Sequence, residues 1–488
     1  LEYKNFLTQR RESCEDAKFF SLRLSCLCVK NVFPNFYFFI FTKPSILPGA
    51  RKFSIKFAKL KLMNDSSVKF VNCESFAAAM DMNDSLAHFR EKFHIPKQES
   101  GEDVLYFTGN SLGLQPRTAR AYIEQELEDW ARFGVEGHFH ARNPWMPYHE
   151  FLTGLMANVV GARAIETVVM NSLTVNLHLL LVSFYRPTER RNKIVIEKNA
   201  FPSDRYAVWS QIKFHGFAPE DSLIELAPRA GETHLRTEDI EKTIVENGAE
   251  IALILLGGVN YYIGQVFDMR RITETGHAAG AIVGFDLAHA AGNIPLELHE
   301  WNVDFAAWCS YKYLNAGPGG VAGVFVHERH AEAFDLPRFA GWWGHDKETR
   351  FLMDDRFIPM RGAEGWQLSN PPIFQMAALH ASLEIFEEAG MSALREKSVK
   401  LTGYLEFLLG EIKDERIEVI TPTNHEERGC QLSIRVKNSD KSLFKALTQN
   451  GVIADWREPD VIRVAPVPLY NSFSDVYKFA EILKTCLV

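Results

Sequence analysis

The sequence predicts an α/β fold, a mainly parallel central sheet sandwiched between helices, with a smaller α+β domain after it. Three observations predict it. Short, fully apolar runs bounded by Gly or charges recur at residues 194–196, 251–256, 281–285 and 321–326, the pattern of parallel strands buried on both faces. Helical stretches such as 237–247 and 269–279 lie between them, giving the repeated alternation of strand and helix. After Asn370-Pro371-Pro372 the pattern changes to long helical stretches, 373–390 and 392–409, followed by strands around 431–436 and 461–464.

Taken in chain order, residues 1–62 stand apart, with 12 Lys or Arg against 4 Asp or Glu and ten of the 36 Phe, whereas the remainder carries 42 basic against 58 acidic residues. Their longest apolar run, 36–41, is far short of the roughly 20 residues that span a bilayer. Glu12, Glu15 and Asp16, and the lack of a small-residue cleavage pattern, argue against a signal or transit peptide. The expectation is a leader outside the fold, with Met63 as the start, an organelle address being the alternative. Residues 63–108 are expected to pack with the small domain, 109–372 to form the large domain that carries the site, and 373–488 the small C-terminal one. Within the large domain, 116–133 reads as a helix with Ile123, Leu127 and Trp130 along one face.

Composition narrows the function classes. The acidic body offers no basic surface for nucleic acid, and no run is long enough for a membrane span. Seven cysteines, odd in number and never in C-x-x-C, suggest neither a disulfide framework nor structural zinc, and fit a reducing, cytoplasmic setting with no metal. The G-x-x-x-x-G-K-[ST], strand-following G-x-G-x-x-G and H-E-x-x-H patterns are missing, so nucleotide and zinc-protease chemistry lose their usual anchors.

The informative stretch is 303–323. Lys312 follows a mostly apolar strand-like segment and precedes the turn Ala316-Gly317-Pro318-Gly319-Gly320. Burial there disfavours the ammonium, and the neutral amine is what attacks an aldehyde to form a Schiff base; a lysine snorkelling at a strand end is the alternative. Asp286 changes the balance. It ends an apolar strand 26 residues earlier, with His289 three residues on, and a strand's carboxyl end faces the crevice where α/β sheets bind ligands. Pyridoxal phosphate needs both partners, a lysine for its aldehyde and a carboxylate that keeps its ring nitrogen protonated so that the ring accepts electrons. A helix cap for Asp286 and a satisfied core position for His289 remain the structural alternatives. A phosphate site is expected where 170–176 enters an apolar helix, through free backbone N–H groups and the Thr174 hydroxyl; plain capping by Ser172 or Thr174 competes.

With these residues in view, SYKYLNAGPGG around Lys312, FDLAHAAGN around Asp286, NSLTVNLH around Thr174, AFPSDRYA around Phe201, GWWGH around Trp342, SNPP around Asn370 and IRVAPVPLYNSF around Arg463 together resemble the kynureninase family. The resemblance runs from about Phe107 to the C-terminus. It implies a fold-type-I pyridoxal-phosphate enzyme that hydrolyses the Cβ–Cγ bond of kynurenine or 3-hydroxykynurenine, giving alanine and an anthranilate, in tryptophan catabolism and NAD synthesis. By the resemblance Lys312 forms the Schiff base and removes the Cα proton, Asp286 pairs with the ring nitrogen, and Phe201 stacks on the ring. Tyr311 serves the carbonyl side through water. Leu173, Thr174, Pro202, Ser203, Asp204, Gly257, His289 and Tyr311 line the cofactor.

Trp342 and Asn370 would reach the neighbouring subunit's site, implying a homodimer with shared sites; ordinary core is the alternative for Trp342-Trp343. Arg463 would hold the substrate α-carboxylate, with a structural salt bridge as its rival. His138 and Asn370 would face the substrate ring and favour 3-hydroxykynurenine; a solvated loop position is the alternative for His138. Two departures stand out, Gly257 where Ser is expected and Ile263 where Thr is usual. A cysteine desulfurase or selenocysteine lyase on the same fold is the nearest rival, yet it needs a loop Cys after the lysine, and none occurs between Cys309 and Cys430. An inactive scaffold would be expected to lose Lys312 or Asp286; both are present.

Overall fold

The computed structural model describes residues 69–353, 355–438 and 441–487; the expected leader lies outside them. Seven strands build the main sheet: β1 Thr167–Val169, β2 Lys193–Glu197, β3 Leu223–Leu226, β4 Ile251–Gly257, β5 Ile282–Asp286, β6 Phe305–Trp308 and β7 Gly323–Val326. Their order across the sheet is β3-β2-β4-β5-β6-β7-β1. From β3 through β6 every neighbouring pair is parallel, but β7 runs antiparallel to both β6 and β1. The run 321–326, grouped with the parallel strands by its apolar character, is thus the one reversed strand among these seven. Burial on both faces produces the same apolar run whichever way a strand points, so hydropathy carries no directional signal.

The two-residue alternation of a strand sends neighbours to opposite faces. In β2, Ile194 and Ile196 join one core with Leu253, Leu255, Phe305, Leu180, Phe184 and Val208, whereas Val195 joins the other with Ile254, Phe285 and Trp308. Nine helices matter here: α1 Ala119–Phe133, α2 Tyr148–Val160, α3 Leu173–Phe184, α4 Pro202–Phe214, α5 Thr237–Asn247, α6 Met269–Ala278, α7 Ile373–Ala389, α8 Met391–Ile412 and α9 Phe473–Cys486. Helices α3 and α4 supply the first core's cover, and α2 and α7 part of the second's, through Leu152, Met156, Met376 and Leu383. Each fully buried Leu or Ile contributes about 1.5–3 kcal/mol. Helix α7, which opens the segment expected to be the small domain, therefore packs in the core of the main sheet.

Helix α1 forms over most of the expected span, with Ile123 packed against the core. Leu127 and Trp130 are exposed, and the helix buries Ala119, Glu126 and Asp129 instead. The Glu126 carboxylate accepts from Trp145 Nε1 at 2.8 Å, Tyr148 Oη at 3.1 Å and Asn143 Nδ2 at 3.3 Å, while Asp129 Oδ2 accepts from the Arg142 N–H at 2.9 Å. A buried carboxylate is tolerated where its hydrogen bonds are made, and these bonds turn the acidic face inward to hold the 141–148 loop. Trp130 lies against Phe374 of α7, ring centroids 6.2 Å apart.

A second sheet, β8 Ile417–Val419, β9 Leu432–Val436, β10 Asp455–Arg457 and β11 Val461–Val464, is antiparallel throughout in the order β8-β9-β11-β10. Its core gathers Ile434 and Val464 with Leu401 and Leu405 of α8, Phe479 of α9, and Ala77, Leu105 and Phe107 from far upstream. The upstream chain is also stitched on by Leu105–Tyr106 pairing in parallel with Val452–Ile453. Among the described residues no helix is long and apolar enough to cross a membrane.

Candidate active site

Three parallel strands end at one place. Glu197 closes β2, Gly257 closes β4 and Asp286 closes β5, with Gly257 and Asp286 in register. A pocket of about 150 Å³ opens there, lined by these residues and by Leu173, Thr174, Phe201, Ser203, Asp204, His289, Tyr311 and Lys312. It lies at the carboxyl end of the parallel strands, where the connections leave a crevice.

Lys312 is held by its backbone. After β6 the chain passes through Ser310, whose hydroxyl donates to the Val321 carbonyl, while the Tyr311 carbonyl accepts from Gly113 N at 2.8 Å and the Lys312 carbonyl from Asn315 N at 3.1 Å. Gly113 must be glycine at this approach, since a Cβ there would come within 2.3 Å of the Lys312 carbonyl oxygen. Gly317 and Gly319 take φ of +85° and +67°, which close the turn behind the lysine and which β-carbon-bearing residues resist. Lys312 Nζ lies 3.1 Å from His289 Nε2 and 5.7 Å from the centre of the Phe201 ring. Burial, with the positive charge of Lys312 next and Arg463 beyond, holds His289 well below the usual imidazole range. A neutral ring accepts at Nε2 from Lys312 and carries its proton on Nδ1, which is buried with no partner among the described residues.

At the buried end, Asp286 Oδ1 accepts from Ala288 N at 2.7 Å, and its carboxyl meets that of Asp204, from the first turn of α4. Burial pushes both carboxyls up. Asp204 goes well above the usual range because the Asp286 charge adds to burial, whereas the Ala288 N–H, Lys312 and Asp204 restrain Asp286. Like charges this close cannot both ionise, and burial together with the Asp286 charge makes Asp204 the harder of the two to ionise. Tyr311 is raised by burial and by Cys309 beside it, so its phenol stays protonated and donates.

The other end is an anion cradle. Ser172 precedes α3 with extended backbone and makes no side-chain cap bond, which leaves first-turn N–H groups free, and the Thr174 and Ser203 hydroxyls meet at 2.8 Å beside them. Asn176 sets this entry by donating to the Met170 carbonyl at 2.8 Å and accepting from Asn171 Nδ2 at 3.0 Å. A proton-sharing carboxyl pair, a lysine with an orphaned imidazole N–H near it, an exposed aromatic face at Phe201 and an anion cradle match the ring nitrogen, aldehyde, ring face and phosphate of pyridoxal phosphate. The residues present fit that group.

Over 416 residues the chain is 61% identical to the kynureninase of Koribacter versatilis (strain Ellin345), covering 85% of this chain and 98% of that protein. The chain belongs to the kynureninase family. It is also 51% identical over 440 residues to the kynureninase of Mus musculus, covering 86% and 95% of the two chains. Residues 394–483 match the family model described as the kynureninase C-terminal domain. Among solved structures its fold is similar to that of the cysteine desulfurase CsdA from Escherichia coli, with a TM-score of 0.68 at 16% identity over 83% of this chain and 98% of that one. It is similar also to a C-DES mutant with glycine covalently linked to the PLP cofactor, at 0.67 and 16% over 81% and 98%. At such identities the likeness is one of fold, and the desulfurase alternative is not favoured: Cys309 and Cys430 are both buried.

The pocket gathers Leu173, Thr174, Phe201, Ser203, Asp204, Gly257, Asp286, His289, Tyr311 and Lys312, ten of the residues expected at the cofactor. Others lie elsewhere. Pro202 opens α4 and lines a neighbouring cavity. Arg463 is buried outside the pocket wall, its two terminal nitrogens bonded to Asp455, to Ser111 Oγ at 3.2 Å and to the Tyr261 carbonyl at 2.6 Å, while its Nε has no partner among the described residues. His138 is half-buried, bonded through Nδ1 to the Val135 carbonyl at 2.9 Å and packed on Trp145. Trp342 and Asn370 are exposed on the chain's surface, Trp343 being the core member of the tryptophan pair.

Of the two departures, Ile263 packs with Ile420 and Val461, and Gly257 makes room for Glu197, whose Oε1 would lie 3.0 Å from a Cβ there. Glu197 was missed in the sequence. The available signal was the one that found Asp286, an acidic residue closing an apolar strand.

Proposed function

We propose that the chain is a pyridoxal-phosphate-dependent hydrolase that cleaves the Cβ–Cγ bond of L-kynurenine and 3-hydroxy-L-kynurenine, giving L-alanine and anthranilate or 3-hydroxyanthranilate. The observation that carries the reading is the convergence of Lys312, the Asp204–Asp286 pair and the α3 entry on one pocket, in a chain 61% identical to a kynureninase.

When bound, the cofactor supplies an electron sink for the substrate's Cα and Cβ electrons. The chain's own residues do the rest. Asp286, with the proton held on Asp204, keeps a negative charge where the ring nitrogen binds and so favours its protonated form. Lys312 Nζ is the base for the Cα proton, steered by the neutral His289 that accepts its hydrogen bond. The protonated Tyr311 phenol donates toward the carbonyl side of the substrate, where water adds. Thr174, Ser203 and the first turn of α3 hold the phosphate, and Phe201 covers the ring.

Several finer points belong to this reading. The chain acts as a homodimer in which Trp342 and Asn370 complete the partner's site. In support, Trp342 is exposed together with Phe339, Phe351, Leu352, Met353 and Ile358 nearby in the chain, a cluster of apolar residues at the surface. His138 and Asn370 favour the 3-hydroxy substrate. A cytoplasmic location is supported by Cys73, Cys309, Cys430 and Cys486, all free thiols. The large and small domains divide near residue 372, with α7 retained by the core of the main sheet.

The test is turnover of both substrates by the cofactor-loaded protein, with Lys312→Ala as control. Wild-type activity that vanishes in the variant, together with a visible absorption band that borohydride traps on Lys312, is the expected result. Product formation by Lys312→Ala overturns the assignment.

A further inference from the structure

Glu197 is buried, at 6% exposure, yet among the described residues its carboxylate makes no ion pair with a cationic side chain. Its two oxygens accept a long bond from Gly257 N, at 3.4 and 3.3 Å, and its own backbone N–H also bonds to the carboxylate. It stands in the wall between two cavities. One is the cofactor pocket; the other, of about 640 Å³, is lined by Glu197, Lys198, Arg205, Tyr261 and Glu458 among others. On the pocket side Glu197 faces Asp286 of β5 and Asp204 of α4, with Lys312 beyond them. On the cavity side Arg205 is paired with Glu225 and Glu458 with Lys441, leaving Lys198 next along the chain.

Three carboxyls and one lysine thus share the buried end, and the Asp204–Asp286 pair already holds a proton. Burial, with the Asp286 charge adding to it, pushes Glu197 up to about 7. A cationic ring nitrogen placed against Asp286 reverses the local balance and favours the ionised form of every nearby carboxyl.

We propose that Glu197 is a positioning residue of the cofactor site, whose carboxyl releases its proton into the adjoining cavity when the protonated ring nitrogen binds against Asp286, so that the carboxyl cluster matches the charge of the ring. The proton leaves as a hydrated ion and no other bond changes. Gly257 lies against this carboxyl, a Cβ there coming to 3.0 Å from Glu197 Oε1, so a side chain at that position acts directly on it. The inference rests on the reading of the pocket as the pyridoxal phosphate site.

The experiment is the pH dependence of cofactor affinity. Full-length wild type, Glu197→Gln and Gly257→Ser are stripped of cofactor and titrated with pyridoxal phosphate between pH 6 and 8.5, following tryptophan fluorescence and the visible band. Wild-type affinity relative to Glu197→Gln is expected to rise about tenfold across that range, with the two nearly equal at pH 6. Gly257→Ser, whose hydroxyl would sit against Oε1 and favour the carboxylate, is expected to move the rise to lower pH. Parallel curves for wild type and Glu197→Gln, or an unmoved rise in Gly257→Ser, overturn the role of Glu197 alone. A wild type that takes up no cofactor overturns the site reading and this inference with it.

Discussion

Asp286 and Asp204 meet in one pocket, but the structure assigns them unequal work, and paired asparagine substitutions measure the difference. Asp286 carries the charge; Asp204 is held neutral by burial and by that charge. In Asp286→Asn the amide oxygen keeps the bond from Ala288 N, 2.7 Å in the parent, so the fold is retained while the charge is lost. A hydrogen bond to a charged group is worth about 1.5–3 kcal/mol. Losing it at the ring nitrogen predicts a fall in kcat/KM of about 10- to 150-fold. Asp204→Asn replaces an already protonated acid by a neutral amide that still donates, and is expected to stay within about threefold of wild type. Steady-state kinetics on L-kynurenine near pH 8 reads both, with the visible absorption band as a check on cofactor content. Equal losses in the two variants, or full activity in Asp286→Asn, would refute the allocation of charge.

Three further outcomes are expected. Glu364, bonded to His149 at 2.9 Å and paired with Lys347, is lowered from 4.5 to about 2, burial being outweighed by these two partners. A depressed carboxyl contributes stability above its unfolded value that is lost as pH falls through the folded one, so Glu364→Gln should cost about 3 kcal/mol at pH 7 and almost nothing near pH 2, as read by denaturant melts. In Gly284→Ala the new Cβ would lie 2.2 Å from the Phe305 ring inside the main sheet, and a loss of about 1–3 kcal/mol in the same melts is expected; an unchanged midpoint would show that the ring yields freely. Mixing Lys312→Ala with Asn370→Ala chains should restore part of the activity if Asn370→Ala alone is impaired, and no rescue under proven subunit exchange would argue for sites complete within one chain.

How much was legible without the structure follows from what each signal encodes. The apolar runs at 251–256 and 281–285, Lys312 before its Gly-rich turn and Asp286 at a strand end were readable because hydropathy period and turn chemistry are local properties of the chain. The period of α1 was equally plain, but its sense was not: Leu127 and Trp130 face outward because Glu126 and Asp129 find donors on the 141–148 loop, which no stripe of side chains announces. The reversed direction of β7 was hidden for a related reason, since a strand buried on both faces looks the same either way. Tertiary structure alone decided the electrostatics. It brought Glu197, Asp204 and Asp286 from three separate elements to one buried end, and it gave Arg463 to Asp455, Ser111 and the Tyr261 carbonyl. Sequence determined which strands and turns form and which residue types stand at their ends. The charge each of those residues carries was decided by neighbours tens or hundreds of positions away, because burial and through-space fields depend on where the folded chain places them.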